Sequence, residues 1–241
     1  RRARISVNYD LIGRSDDEIQ EQYKTDATKL SVEELLYSAT LTENKAEQEG
    51  IFKKTAQIYP KDYRAYNDLA TMAMEEGNYD AAKDYLKKSL AINNNAAEPN
   101  INNGIIAMLN NDLTAAQTSL SKGAASPALS EALGNLYLKQ GNYAQAVKTF
   151  GNVKSNSAAL AQLLTKDYMK AAETLTQVQN DDAMTYYLKA IIAARTSNNS
   201  LAVENLKIAV SKDASLAQYA GNDLEFTKLA ADAAFKVLTG K

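Results

Sequence analysis

The 241-residue chain has no cysteine, no histidine and no tryptophan. Disulfides and thiolate nucleophiles are therefore excluded, and the commonest general base and the usual zinc ligands are missing. No Gly-x-Gly-x-x-Gly or Gly-x4-Gly-Lys-Ser/Thr phosphate loop appears, nor a Gly-x-Ser-x-Gly nucleophile elbow or an Asp-x-Asp-x-Asp-Gly calcium loop. The apolar run around Ala190 to Ala194 is far too short to cross a bilayer. A net charge of −2 and a pI of about 5.4 give no global attraction to nucleic acid or acidic lipid. Paired carboxylates do occur. Glu75-Glu76 precede a turn on an amphipathic stretch, and Asp16-Asp17 and Asp181-Asp182 stand at helix starts, where acidic residues complement the helix dipole. The expectation is a non-enzyme with no cofactor, no metal and no catalytic residue.

What is present is a pattern returning about every 34 residues, in a chain with 45% hydrophobic and 23% charged residues, ordinary for a globular protein. It is clearest from Tyr63 to Ala96, where Tyr66, Leu69, Ala70 and Ala73 precede Gly77-Asn78-Tyr79, and Ala82, Leu86 and Ser89 follow. It returns with Leu133, Gly134, Tyr137, Gly141-Asn142-Tyr143, Ala146 and Phe150. Apolar positions three and four apart give each helix a core stripe. A glycine at the bend supplies a left-handed backbone, alanines allow close approach, and Tyr79 and Tyr143 are expected to fill the wedge between paired helices.

Weaker units flank these. The first, Lys29 to Asp62, opens on a Ser31–Glu34 capping box and carries Leu35, Leu36, Ala39, Phe52 and Ala56. Glu43 occupies its turn-glycine position and Gln48 its small-residue position. The third, from Ala97, has Gly104, Ala107, Ala116 and Leu120 and is shortened at Gly123 to Pro127. A fifth is abbreviated (Leu160, Leu163, Tyr168, Ala171, Leu175), and a sixth has Tyr186, Ala190, Ala194, Ala202, Leu206 and Ala209. Leu224-Glu225-Phe226 and Ala234-Phe235 suggest a closing helix with a solvated outer face.

The N-terminus differs. Ile5, Val7, Tyr9 and Leu11 alternate with Arg4, Ser6, Asn8 and Asp10, a strand signal with no partner in a helical protein. It reads either as an extended arm packed on the first helices or as the last strand of an upstream domain. The sequence begins at Arg1 without a signal-peptide h-region and is expected to be a piece of a longer protein. A Ser15–Glu18 capping box then starts a short helix to about Ala27. The division is 1–28 arm and short helix, 29–212 repeats, and 213–241 capping helices.

The order of large and small residues in the repeats resembles the tetratricopeptide repeat, a helix–turn–helix unit. That resemblance implies an all-α, right-handed superhelical solenoid of about five to six units, with a short N-terminal extended arm. It also implies a non-catalytic scaffold that binds a protein or peptide on a concave wall built from the first helix of each unit. Carried over by repeat position, the groove candidates are Arg64, Asn67, Thr71, Ile101, Asn102, Ile105, Glu131, Asn135 and Leu138. Ile101, Ile105 and Leu138 would form an apolar floor, and Asn67, Asn102 and Asn135 polar anchors. The chaperone-carboxylate clamp of some family members needs basic residues at sites that hold Glu33, Tyr37, Asp68, Glu98 and Asn102 here, so that subtype is excluded.

The whole chain also resembles the C-terminal repeat region of envelope proteins of Bacteroidetes-type bacteria, through Tyr9-Asp10-Leu11-Ile12-Gly13, Ser31 to Tyr37, Asp62 to Asn67 and Asp181 to Tyr187. Arg1 to Val7 resembles the end of an outer membrane protein A-like peptidoglycan-associating domain. These resemblances imply a periplasmic, outer-membrane-associated protein, with a cytoplasmic location as the alternative. Peptidoglycan would be reached through an upstream domain. A structural spacer or self-assembly module without a groove ligand is the competing function.

Overall fold

The computed structural model describes residues 13–241; the predicted strand of residues 4–11 lies outside the described residues. Among those described, every regular element is helical: fifteen α-helices and three short 3-10 segments. The chain divides into two compact units, with the boundary after Ile106.

The first unit holds α1 (Asp16–Asp26), α2 (Val32–Ser38), α3 (Lys45–Ile58), α4 (Arg64–Glu75), α5 (Tyr79–Ile92) and most of α6 (Ala97–Leu109). Both predicted capping boxes form: Ser15 with Glu18 opens α1, and Ser31 with Glu34 opens α2. Each pairs the serine oxygen with a free N–H of the first turn and the glutamate with the serine N–H. Successive helices pack on one another from α1 to α5. α4 buries Ala65, Leu69 and Met72 along one stripe, and α5 buries Ala82, Leu86 and Ser89. Ala70 and Ala82 are fully enclosed in a cluster with Ala73, Leu86 and Ile106. Methyl-sized side chains at those positions let α4 and α5 approach, and Leu86 fills the space between for about 2 kcal/mol of burial.

The second unit runs from α7 (Leu113–Leu120) through α8 (Pro127–Lys139), α9 (Tyr143–Phe150), α10 (Asn156–Leu164), α11 (Tyr168–Thr176), α12 (Ala183–Arg195) and α13 (Asn199–Lys212) to α14 (Leu216–Asn222) and α15 (Ala233–Thr239). Here first helices meet both their own partners and the next first helix, since α8 packs on α9 and α10, and α10 on α11 and α12. The abbreviated unit is real: α10 and α11 have nine residues each.

One turn recurs with different residues. Gly77, Asn111, Gly141, Lys166 and Ser197 all take φ between 55° and 75° (73, 59, 74, 66 and 62°). Each is followed by an Asn or Asp whose side chain accepts from the backbone N–H three residues on: Asn78, Asp112, Asn142, Asp167 and Asn198. The N–H of that residue also returns to a carbonyl five residues back, as Asn78 does to Ala73 and Asp167 to Gln162. Each junction is thus a left-handed helix stop fused to the next helix's cap. Lys166 and Ser197 adopt there a backbone that disfavours a Cβ. Lys166→Gly is therefore expected to stabilise the chain by about 0.5–1 kcal/mol, measured as a higher urea midpoint with unchanged slope. A loss of stability would show that the lysine side chain has a packing role.

The first pair closes differently. With Glu43 at the bend, the chain makes a 3-10 turn, Ala39–Leu41, and Asn44 caps α3. Gln48 Nε2 donates to the carbonyls of Thr42 at 2.8 Å and Ala39 at 3.3 Å, so the amide that replaced a small residue ties down the irregular turn. Two expectations are corrected. Tyr79 and Tyr143 are 42% and 39% exposed, because each is the first residue of its helix and has no preceding turn to cover it. The closing helix is two elements, a 3-10 segment (Leu224–Leu229) and α15. They bury Phe226 and Phe235 but leave Leu224 and Val237 86% and 85% exposed.

Candidate functional site

On α4, Arg64, Asn67, Asp68 and Thr71 fall at i, i+3, i+4 and i+7, one face of the helix. Glu98, Ile101, Asn102 and Ile105 repeat that spacing on α6, 34 positions later. The two stripes are joined by side chains. Asn102 Nδ2 donates to Asn67 Oδ1 and to Thr71 Oγ1, both at 3.0 Å. Thr71 Oγ1 in turn donates to the Asn67 carbonyl at 3.1 Å. Three residues predicted from repeat position thus form one network across successive first helices.

Arg64 stands at the head of the stripe. Its Nε and Nη2 grip Asp62 at 3.0 and 2.7 Å, and Nη2 also reaches Glu33 of α2 at 3.2 Å. The fork is already bidentate on one carboxylate. Its guanidinium is held still further above its ordinary range by Asp62, and Asp62 lies below the usual carboxylate range because of it. The one cation of the stripe is thus paired within the protein through Nε and Nη2, with two carboxylates set against its charge.

Asp68 is the residue sequence reasoning undervalued. It occupies the α4 position that Asn102 holds on α6. It is half-buried, and burial pushes its carboxyl up to about 6; a hydrogen bond from Asn67 and the charge of Arg64 oppose the rise, while Asp62 and Glu98 add to it. Since the folded-state pKa lies above the unfolded value of about 3.9, the proton favours the folded state. That stabilisation is complete below about pH 4 and is lost as pH rises through 6. With the shift discounted for partial solvent screening, Asp68→Asn is expected to unfold about 1–2 kcal/mol later than the native chain at pH 7 and to match it at pH 4. Urea titrations at the two pH values measure this; a constant offset would place the carboxyl in solvent.

The remaining candidates divide. Ile101 is buried at 7% exposure, while Ile105 is half-buried. In the second unit, Glu131 and Asn135 are half-buried on α8. Leu138 is half-buried, with part of its side chain packed against the cluster of Ala146, Phe150, Ala158 and Ala161. Asn100, on the first turn of α6, is structural: it is buried and donates to the Ala96 and Asn94 carbonyls at 2.7 and 3.0 Å. A related link joins first helices in the second unit. Thr185 of α12 donates to Asn156 Oδ1 of α10 at 3.0 Å, and Asn156 donates to Asp182 at 3.0 Å. Among the described residues no group of three or more acidic side chains is arranged to hold a metal ion. No helix of the described residues is long and apolar enough to cross a membrane.

Residues 63–95 match one family model described as tetratricopeptide repeat, and residues 128–155 match a second. No curated protein matches the chain. Solved structures do. A tetratricopeptide repeat protein from Parabacteroides merdae is 17% identical with a TM-score of 0.59, over 94% of this chain and 91% of that one. A chain of the APC/C hetero-tetramer Cut9–Hcn1 is 17% identical with a TM-score of 0.71, over 91% of this chain and 45% of that one. The pilF protein of Pseudomonas aeruginosa is 18% identical with a TM-score of 0.57, over 89% and 97%. At these identities the likeness is one of fold. The chain carries tetratricopeptide repeats, in an all-helical fold that these structures share.

Proposed function

We propose that the chain is a non-catalytic scaffold that binds a protein or an extended peptide on the first-helix stripe of α4 and α6, through Arg64, Asn67, Thr71, Ile101, Asn102 and Ile105, with Glu131, Asn135 and Leu138 of α8 as the corresponding stripe of the second unit. The observation that carries this reading is the Asn102–Asn67–Thr71 network. It fixes rotamers of polar side chains on a helix face, so little side-chain entropy is lost when a ligand meets them. The envelope location, with peptidoglycan reached through an upstream domain, is proposed on the sequence resemblance. A self-assembly role would use a different surface, the exposed Tyr219, Leu224 and Val237 of the last elements.

Because Asn67 and Asn102 hold α4 to α6, alanine at either tests packing as well as binding. A photo-crosslinking residue avoids the ambiguity. Placed at Ile105, with a control at the exposed Lys87 of α5, it is expected to capture a protein from source-cell extract at Ile105 alone. Equal capture at Lys87, or capture at neither, would move binding off the stripe.

A further inference from the structure

The chemistry of the ligand follows from the hydrogen-bonding groups left on the α4–α6 stripe, and the inference rests on the groove reading above. Asn102 has two amide hydrogens, and both are engaged, one by Asn67 and one by Thr71. What its side chain can offer a ligand is the Oδ1 acceptor. Asp68 and Glu98 on the same stripes are carboxylates, acceptors only when ionised. Arg64 turns its Nε and Nη2 onto Asp62 and Glu33 and keeps only Nη1 outside those bonds. Thr71 gives its hydroxyl hydrogen to the Asn67 carbonyl. The face therefore accepts hydrogen bonds and has few to give.

Charge points the same way. Around the head of α4 the carboxylates of Glu33, Asp62, Asp68 and Glu98 are set against a single guanidinium, which Glu33 and Asp62 already bind. Burial, and then the negative charge of Glu98, Asp62 and Asp68 against the opposing charge of Arg64, raises the Tyr63 hydroxyl above its usual range. An anionic or acceptor-rich segment would meet repulsion and few donors there.

We propose that the α4–α6 stripe selects a cationic segment, an extended peptide with an arginine or lysine side chain seated against Asp68 and Glu98 and donating to the Asn102 carbonyl. Ionised Asp68 is half-buried, and a ligand cation supplies the partner that water supplies only in part. The groups that set its charge state are Arg64 and Asp62 on its own side, Asn67 beside it, and Glu98 from α6. Binding then weakens in mild acid, where Asp68 takes up its proton.

Panning random nonapeptides displayed on phage against the full chain at pH 7.5 tests this, with Asp68→Asn and Thr71→Arg chains in parallel and folding checked by circular dichroism. Recovered peptides are expected to be enriched in arginine and lysine and to lose five- to tenfold in affinity on Asp68→Asn. With the carboxyl pushed up to about 6, affinity for the native chain is expected to fall about threefold between pH 7.5 and 5.5. Peptides that need an unobstructed Thr71 but show no basic enrichment, or that bind Asp68→Asn equally, would overturn the charge assignment and leave the groove in place. No recovery, or binding that survives Thr71→Arg, would overturn both.

Discussion

Replacing Phe150 with alanine is expected to cost the second unit about 3–5 kcal/mol, the range for emptying a well-packed aromatic site. The ring closes α9 at 2% exposure and lies among Ala146, Ala158 and Ala161. Its other wall is Gly134 of α8. A Cβ added at Gly134 would stand 2.5–2.7 Å from three atoms of the Phe150 ring, closer than real contacts allow. The glycine is therefore required by packing. Gly134→Ala should lower stability by about 1–2 kcal/mol, since contacts this short place the overpacking cost at the upper end of its range, about 2–3 kcal/mol, against roughly 1 kcal/mol gained in helix propensity. Urea unfolding of Gly134→Ala, Phe150→Leu and the double variant separates the terms. The new methyl should be tolerated better once the ring is gone, giving a coupling of about 1 kcal/mol or more. A Gly134→Ala chain as stable as the native one would contradict this contact.

The second large effect is expected at Arg195, the last residue of α12. Its Nε and Nη2 bond Glu225 at 2.8 and 2.5 Å, and Nη1 reaches the Leu163 carbonyl at the end of α10 at 3.4 Å. One guanidinium thus joins α10, α12 and the 3-10 segment. The pair is about a quarter exposed on each side, which separates it from surface bridges of negligible worth. Close by, Tyr187 donates to Asp223 at 2.7 Å and meets Phe226 edge-on with centroids 5.5 Å apart, anchoring the same segment. Arg195→Ala should lose about 1.5–3 kcal/mol, and Arg195→Lys should restore less than half, because an ammonium cannot reproduce the fork. Hydrogen exchange is expected to rise first in residues 224–239. A lysine variant equal to the native chain would reduce the contact to simple charge.

The repeats were legible where local chemistry and spacing coincide. Gly77-Asn78 and Gly141-Asn142 carry both halves of the turn, a left-handed stop and a cap, in adjacent residues. The third, fifth and sixth junctions use the same backbone, but Asn111 announces a left-handed conformation more weakly than glycine does, and Lys166 and Ser197 do not announce it. The available signal was the second half: Asp112, Asp167 and Asn198 are caps at the matching place. Aligning on the cap instead of the glycine fixes the register. Position within the repeat groups Asn67, Thr71 and Asn102 as neighbours on successive first helices. Their mutual bonding was not legible, because it joins residues 31 and 35 apart through the approach of α4 to α6. The weight of Asp68 was hidden for a related reason: burial by neighbouring helices, not its own sequence context, raises its pKa. The partial burial of Leu138 against α9 and α10 was likewise not legible, because it comes from residues distant in sequence.

The most direct measurement is hydrogen exchange by mass spectrometry on the full chain, with and without the partner captured at Ile105 or a peptide recovered by panning. Binding on the stripe predicts slower exchange over residues 64–75 and 97–109 and little change over residues 79–92 of α5. Protection of residues 79–92 in preference to α4 and α6 would place the partner on the opposite helices and contradict the stripe as the binding surface.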